Sequence, residues 1–352
     1  MARVGHDALT AFIAAIFVAA GSTVEEARSV ADHLAEASLL GHDSHGVIRV
    51  AKYVAWLRAG EVLANRRPTI AVDRGPLLVV DGNFGFGQVI GRAAMTLAIE
   101  RCKQFGLACV AVRNSGHLGR IGAWAEQVAA AGLVSVHYVN TSGHGILVAP
   151  HGGSGRRLSA NPVAAGAPGP DGPLVLDIAT AATAEGKLQV ARNRREAVPQ
   201  GLIVDGAGEP TTDPEAFYAT PPGAILPFGG HKGSGLSVFC EILAGSLTGG
   251  MSSHPDNATA HRLVNNMLTL AFDPAAFGPA DAFAEDVARL TRWVKSAAQP
   301  GGTVLLPGES ERRTRAARLH GGIPLDQETV RQLADSASEL GVPLPDALRR
   351  AT

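Results

Sequence analysis

The sequence changes its hydrophobic rhythm near residue 68 and does not return to the first pattern until the last third. Apolar residues between 9 and 18 recur on one face of a helix, and Gly21 closes that segment. Ser22 and Glu25 form a capping box for a second helix through Leu39, which Gly41 stops. A third helix is expected over 47–57. Beyond Pro68 the apolar residues come in short runs, such as Leu77-Leu78-Val79-Val80 between Pro76 and Gly82, which read as strands. Further strands are expected over 107–112, 133–139, 174–178 and 201–205, with helices over 91–104, 120–131 and 233–247. The stretch 150–173, rich in Gly and Pro, reads as loop. Residues 257–273 predict a helix and a strand, and 285–296 and 326–340 predict closing helices. A helical beginning and a helical end thus flank a mixed centre, and that centre is not a clean β-α-β-α series.

Composition narrows the function classes. The chain has 352 residues, of which 46% are hydrophobic and 18% charged, which suits one large or two intimate globular domains. Its 31 basic and 32 acidic residues leave no basic surplus, so a nucleic-acid partner is not expected. The basic group Arg312, Arg313, Arg315 and Arg318 reads as a solvated helix face or an oligomer contact. Cys102, Cys109 and Cys240 lack metal-binding or redox spacing and read as thiols in a reducing cytoplasm. No apolar run reaches membrane-spanning length, and the apolar stretch 9–20 follows Asp7 without a basic leader, so it reads as a core helix.

The most obvious nucleotide signal is a poor one. Gly85, Gly87 and Gly91 follow a strand and open a helix, and Arg113 ends the next strand. Residues 81–84 intervene before the first glycine, however, and the last spacing is one residue too long for a dinucleotide fingerprint. An ordinary strand-to-helix turn is the better reading.

Chemistry-bearing residues instead cluster on glycine-flanked loops. They are Asp43-Ser44-His45-Gly46, Asn114-Ser115-Gly116-His117-Leu118-Gly119, Phe228-Gly229-Gly230-His231-Lys232-Gly233 and Leu306-Pro307-Gly308-Glu309. Oxidising a secondary alcohol needs a base, a hydride acceptor and a cation for a substrate carboxylate. His117 or His45 could be the base. Arg49, one turn beyond His45, could hold a carboxylate with two parallel hydrogen bonds. Helix starts after Gly119 and Gly233, with Lys232 beside the second, could bind phosphates. A Ser44–His45 hydrolase is the rival, but adjacent loop side chains are expected to diverge and no GxSxG elbow exists. No metal site is expected, since there is no HExxH and His144 and His151 lie in loop.

Taken in order, these motifs resemble the malate/L-lactate dehydrogenase family that lacks a Rossmann fold. Asn161-Pro162, the run Asp177-Ile178-Ala179-Thr180 leading to Gly186-Lys187, the run from Pro210 to Pro214, and Gly322-Ile323-Pro324-Leu325 extend the match to nearly the whole chain. The segment from Gly119 to Gln127 is most similar to the hydroxycarboxylate dehydrogenases. The resemblance implies an α+β fold, with a mixed, largely antiparallel sheet domain (69–284) binding cofactor. A helical part formed by 1–68 would pack with 285–352. It implies a homodimer, NAD or NADP as cofactor and a 2-hydroxy or 2-oxo acid as substrate. His117 matches the family's proton acceptor, Ser44 and His45 the pair that serves imine-reducing members, and Arg49 the substrate-carboxylate residue. Cofactor-binding positions match His45, His117, Gly119, Arg120, Ile121, Asp177, Ile178, Ala179, Thr180, Ala181, His231, Lys232, Asn265, Leu306, Pro307, Gly308 and Glu309. Three departures stand out: Lys187 lies where imine reductases carry an acid, and Ala160 and Ala181 replace hydroxyl residues.

Overall fold

A computed structural model describes residues 2–257 and 262–349. Helix His6–Ala19 buries Leu9, Phe12, Ile13, Ile16 and Phe17, the one-face spacing its sequence predicts. Helix Val24–Leu39 is capped by Thr23, whose side chain accepts from Glu26 N. The expected cap, Ser22, donates to the Glu26 carboxylate instead (2.7 Å), so the box is shifted by one residue. Strand Ala2–Val4 pairs antiparallel with Ile323–Leu325. Val4, Ile323, Leu325, Val330 and Leu333 therefore enter the same apolar cluster as Ile13 and Phe17. Helix Ala280–Lys295 stands apart from that cluster. Thr291 is its one buried residue, and Leu290 and Trp293 are exposed.

The centre is a seven-stranded sheet in the order Thr69–Arg74, Leu77–Asp81, Leu107–Ser115, Leu263–Phe272, Val134–Gly143, Val163–Ala167 and Leu174–Ile178. Only Leu77–Asp81 and Leu107–Ser115 run parallel; the other neighbours are antiparallel. The expected mixed, largely antiparallel sheet is the observed one, and it is not doubly wound. Helices Gly87–Phe105 and Gly122–Ala130 pack on it through Ile90, Met95, Trp124 and Val128.

Three readings need correction. The stretch 150–173 is not all loop, because Val163–Ala167 pairs with strands on both sides. Its small residues hide the strand from a propensity reading. Helix Glu185–Arg194 was not expected, since its sequence has almost no apolar face. The predicted helix 233–247 begins at His231 and passes into a π-helical turn, Glu241–Ser246. Of the stretch 257–273, the strand is Leu263–Phe272, and residues 258–261 lie outside the described residues.

Candidate functional site

The loop that carries Ser44 and His45 is two short 3-10 turns, Asp43–His45 and Val47–Arg49, leading into helix Val50–Arg58. Ser38 Oγ accepts from Val47 N (3.0 Å), and Arg318 pairs with Asp43 (2.6 Å). Arg318 belongs to the basic group on helix Glu309–Gly321, where Arg315 pairs with Glu36 (2.7 Å) and Arg312 donates to Pro173 O (2.6 Å). These three arginines are internal ties, not a solvated face. The tight turn also overturns the expectation that Ser44 and His45 diverge. Ser44 Oγ lies 3.0 Å from His45 Nδ1, and Arg49 Nε donates to Ser44 O (2.6 Å).

His117 reaches the same place from the sheet. Its loop follows strand Leu107–Ser115 and is fixed by Leu118 N donating to Asn265 Oδ1 (2.9 Å) and Gly116 N to Gly85 O (2.9 Å). The His117 and His45 rings stack, with centroids 5.7 Å apart and an interplanar angle of 11°. Gly87 explains the glycine decoy. A Cβ there would stand 2.2 Å from His117 O, so the glycine lets a helix start abut the His117 loop. Arg113 pairs with Asp81 (3.0 Å).

Tyr53 and Gln88 are site residues that the motif reading missed. Tyr53 OH is 2.6 Å from His117 Nδ1, and Gln88 Nε2 donates to both Tyr53 OH and His117 O, each at 3.1 Å. Tyr53 lies one helical turn after Arg49, and that spacing was the available signal. Burial pushes the Tyr53 phenol up to about 12, so it stays protonated. With Nδ1 engaged by Tyr53, Nε2 is the His117 nitrogen left for chemistry. Burial, then the Arg49 charge, hold His117 well below the ordinary histidine range; His45 lies at about 3 for the same two reasons. Both imidazoles are neutral at pH 7, the form a base needs.

A second group of expected residues meets around 177–181. Gly122 N donates to Asp177 Oδ2 (2.8 Å), and Thr180 donates to Ala160 O through both N and Oγ1 (2.8 Å each). Phe228 N donates to Thr180 O (2.9 Å), and Ala181 bridges to Pro227. Val175 N donates to Pro307 O (3.2 Å), and Glu309 accepts from Leu306 N (2.9 Å) and pairs with Lys295. Thus the loops carrying 119–121, 231–232 and 306–309 all attach along strand Leu174–Ile178 and the residues just after it, through Asp177, Thr180 and Val175. His231 packs edge-on to His151 (6.0 Å), and neither His231 nor Lys232 is brought into contact with the histidine pair.

Two features of this group suit an anionic cofactor. Arg120 is 2% exposed, its Nη2 pairs with Glu126, and its Nη1 has no partner among the described residues. Gly119 has φ +72°, and a Cβ there would stand 2.2 Å from His33 Nε2, which accepts from Arg120 N (2.9 Å). The glycine is required by the close approach of the His33 ring, and the buried Arg120 guanidinium keeps one unsatisfied donor beside it. That guanidinium donor can take a phosphate oxygen.

Beside the first group, a cavity of about 740 Å³ is lined by Ser44, Arg49, Lys52, Glu185 and Gly186, among others. Among the described residues no cluster of three His, Cys, Asp or Glu could hold a metal ion. No helix among them is long and apolar enough to cross a membrane.

Comparison with known proteins agrees with this frame. A family profile described as malate/L-lactate dehydrogenase matches residues 4–334. Hydroxycarboxylate dehydrogenase B of Escherichia coli O157:H7 is 41% identical over 345 residues, covering 97% of this chain and 95% of that protein. Sulfolactate dehydrogenase from Methanocaldococcus jannaschii superposes with a TM-score of 0.87 at 32% identity, over 97% of this chain and 98% of the other. A Δ1-piperideine-2-carboxylate reductase from Pseudomonas syringae pvar. tomato gives 0.83 at 32% identity, over 96% of this chain and 100% of the other.

Proposed function

Since the chain belongs to the malate/L-lactate dehydrogenase family, we propose that it interconverts a 2-hydroxy acid and its 2-oxo acid with NAD or NADP, His117 moving the proton. The observation that carries this reading is the stacked His45–His117 pair with Arg49 on one side and the Tyr53–Gln88 relay behind it. A bound nicotinamide would supply the hydride acceptor for the carbon that bears the hydroxyl, and the loops around Asp177 to Ala181 would hold it.

The chain's own residues do the rest. Arg49 orients the substrate carboxylate. His117 Nε2 takes the hydroxyl proton, and the imidazolium that forms keeps its Nδ1 proton, hydrogen-bonded to Tyr53 O. Gln88 keeps Tyr53 in place by donating to the phenol oxygen and to the His117 carbonyl. In the reverse direction the same proton returns from His117 to the oxo-acid oxygen. Arg120, on the loop from Gly119 to Ile121, would hold a cofactor phosphate through its unsatisfied Nη1. Asp177, Ile178, Ala179, Thr180 and Ala181, together with His231, Lys232, Asn265 and the 306–309 turn, complete the cofactor cleft. In this reading 69–284 is the cofactor domain, 1–68 packs with 285–352, and the working unit is a homodimer in the cytoplasm.

A second reading is a cyclic-imine reductase that uses Ser44 and His45. It is favoured by their 3.0 Å hydrogen bond. Glu185 also lines the Ser44 cavity two residues before the non-acidic Lys187. One panel decides between the readings: 2-hydroxy acids, 2-oxo acids and cyclic imines, each with both cofactors, followed by nicotinamide absorbance. Turnover of a hydroxy or oxo acid supports the first reading. Turnover of imines alone moves the assignment to the second, and silence with every substrate overturns both.

A further inference from the structure

One buried acid has no part in the proposed reaction. Glu241 opens the π-helical turn Glu241–Ser246 and is 6% exposed. Each group set against its carboxylate is a donor. Asn161 Nδ2 donates to Oε1 (2.7 Å), and Asn140 Nδ2 and Ser253 N donate to Oε2 (2.9 and 2.8 Å). Burial pushes the carboxyl pKa up, and these donors pull it back. From Glu241 a chain of amides runs in one direction. Asn140 commits its Nδ2 to Glu241 and to Met251 O (3.0 Å), so its Oδ1 accepts from Asn266 Nδ2 (2.9 Å). Asn266 Oδ1 in turn accepts from Asn114 N (3.0 Å). Asn114 sits at a bulge: Met267 pairs with Val112 but Asn265 with Ser115, so strand Leu107–Ser115 has an extra residue there, and Asn114 has φ +54°. That bulge leads into the loop that carries His117. At the far end of the loop Leu118 N donates to Asn265 Oδ1, and Asn265 Nδ2 donates to Asn140 O (3.2 Å). A second arm reaches the expected cofactor segment, because Asn161 follows Ala160, whose carbonyl accepts from Thr180 N and Oγ1.

An amide at the head of such a chain can turn over and reverse every amide beyond it, whereas an acceptor-only carboxylate cannot. We propose that Glu241 is a positioning residue: its carboxylate sets the polarity of the Asn140–Asn266 chain, and so the His117 loop, while also holding Asn161 and with it the Thr180 segment. One buried charge thereby keeps the proton-transfer loop and the cofactor segment in register, an alignment on which turnover depends steeply. Glutamine at 241 cannot replace it. Whichever way its amide turns, its NH2 meets a donor, either Asn161 Nδ2 or the pair Asn140 Nδ2 and Ser253 N. Neither asparagine is free to flip in reply, since Asn161 Nδ2 also donates to Ser237 O (3.2 Å) and Asn140 Nδ2 to Met251 O. The rate effect of this inference rests on the proposed hydroxy-acid reaction; its structural effect rests on the hydrogen bonds alone.

The test reads the loop and the reaction separately. In hydrogen exchange followed by mass spectrometry, without substrate, segments 114–118 and 178–181 of Glu241→Gln should exchange about tenfold faster than in the wild type, with helix His6–Ala19 unchanged. In single-turnover oxidation of malate or lactate by protein preloaded with NAD or NADP, the rate constant should fall by about 10- to 100-fold, the range for one charge-assisted contact. The amplitude per mole of protein should stay full. A merely structural role predicts the reverse, a reduced amplitude at an unchanged rate constant, and that result overturns the assignment. Asn266→Ala leaves Glu241 and its donors in place. It should reproduce the faster exchange over 114–118 and the slower rate, but not the change over 178–181, and it carries the test if Glu241→Gln does not fold. Unchanged exchange over 114–118 in whichever variant folds overturns the link. If the wild type oxidises no acid of the panel while the exchange differences appear, the hydroxy-acid reading falls and the tie from Glu241 to the two segments stands.

Discussion

His117 and His137 are both held neutral by burial, yet they live in opposite surroundings. His137, on strand Val134–Gly143, is fully buried and saturated: Ser135 Oγ lies 2.9 Å from Nε2 and Thr269 Oγ1 2.9 Å from Nδ1. Its depression to about 3 has burial as the only cause. The His117 ring is engaged at Nδ1, is only partly buried, and feels Arg49, His45, His33 and Lys52 as well as burial. A shifted histidine is therefore not a functional histidine by virtue of the shift. What separates the two is a ring nitrogen without a second partner among the described residues and the charges arranged around it, Arg49 included.

Substitution should break this comparison cleanly. His117→Ala should lower turnover by about 10²- to 10⁴-fold, the usual worth of a positioned acid–base group, while nicotinamide binding measured by fluorescence persists. Arg49→Met should come next, with kcat/KM down about 100-fold from the loss of a charge-assisted, two-point contact. His137→Leu should leave kcat within a few-fold but cost about 1–3 kcal/mol in urea unfolding, since the Ser135 and Thr269 hydroxyls lose a buried partner. Tyr53→Phe should lower the rate by about tenfold, less than Arg49→Met and more than His137→Leu, and should alter the pH profile because the Nδ1 partner is gone.

Proton linkage sharpens the same contrast. The pKa of His117 is lowered from the ordinary 6.5, so the base form survives as the pH falls. The acid limb of kcat/KM for hydroxy-acid oxidation should accordingly lie below pH 6.5. Stability should show the other side. His33 and His137 are buried and depressed to about 3, whereas in the unfolded chain they titrate near 6.5. The unfolded state takes up their protons first. Their contribution is present above pH 6.5 and is lost below it, by about 1.4 kcal/mol per pH unit for each histidine between the two values. A Tm that holds steady from pH 7 to 5 would contradict this.

Much of the molecule was legible before its structure. Helices with a clear apolar face, such as His6–Ala19, and apolar strands such as Leu174–Ile178 announce themselves. Val163–Ala167 did not, because a run of Ala and Gly carries no strand signal and is defined only by its two neighbours. Helix Glu185–Arg194 lacked an amphipathic pattern for a similar reason. Within the site, the histidine loops were visible as polar residues among glycines. Tyr53, Gln88 and Lys52 were not, since each is an unremarkable helix residue until the fold sets it beside His117 or Arg49. Spacing suggests which residues share an element, but it cannot bring together Tyr53 and His117, which are 64 positions apart.

The most direct test of the central claim is single-turnover oxidation of a 2-hydroxy acid by the wild type, His117→Ala and His137→Leu, each preloaded with nicotinamide cofactor. The account predicts a full reduced-nicotinamide signal in the wild type and in His137→Leu, and a rate at least about 100-fold lower in His117→Ala despite bound cofactor. An undiminished rate in His117→Ala would contradict it, and would move the proton-transfer role to His45.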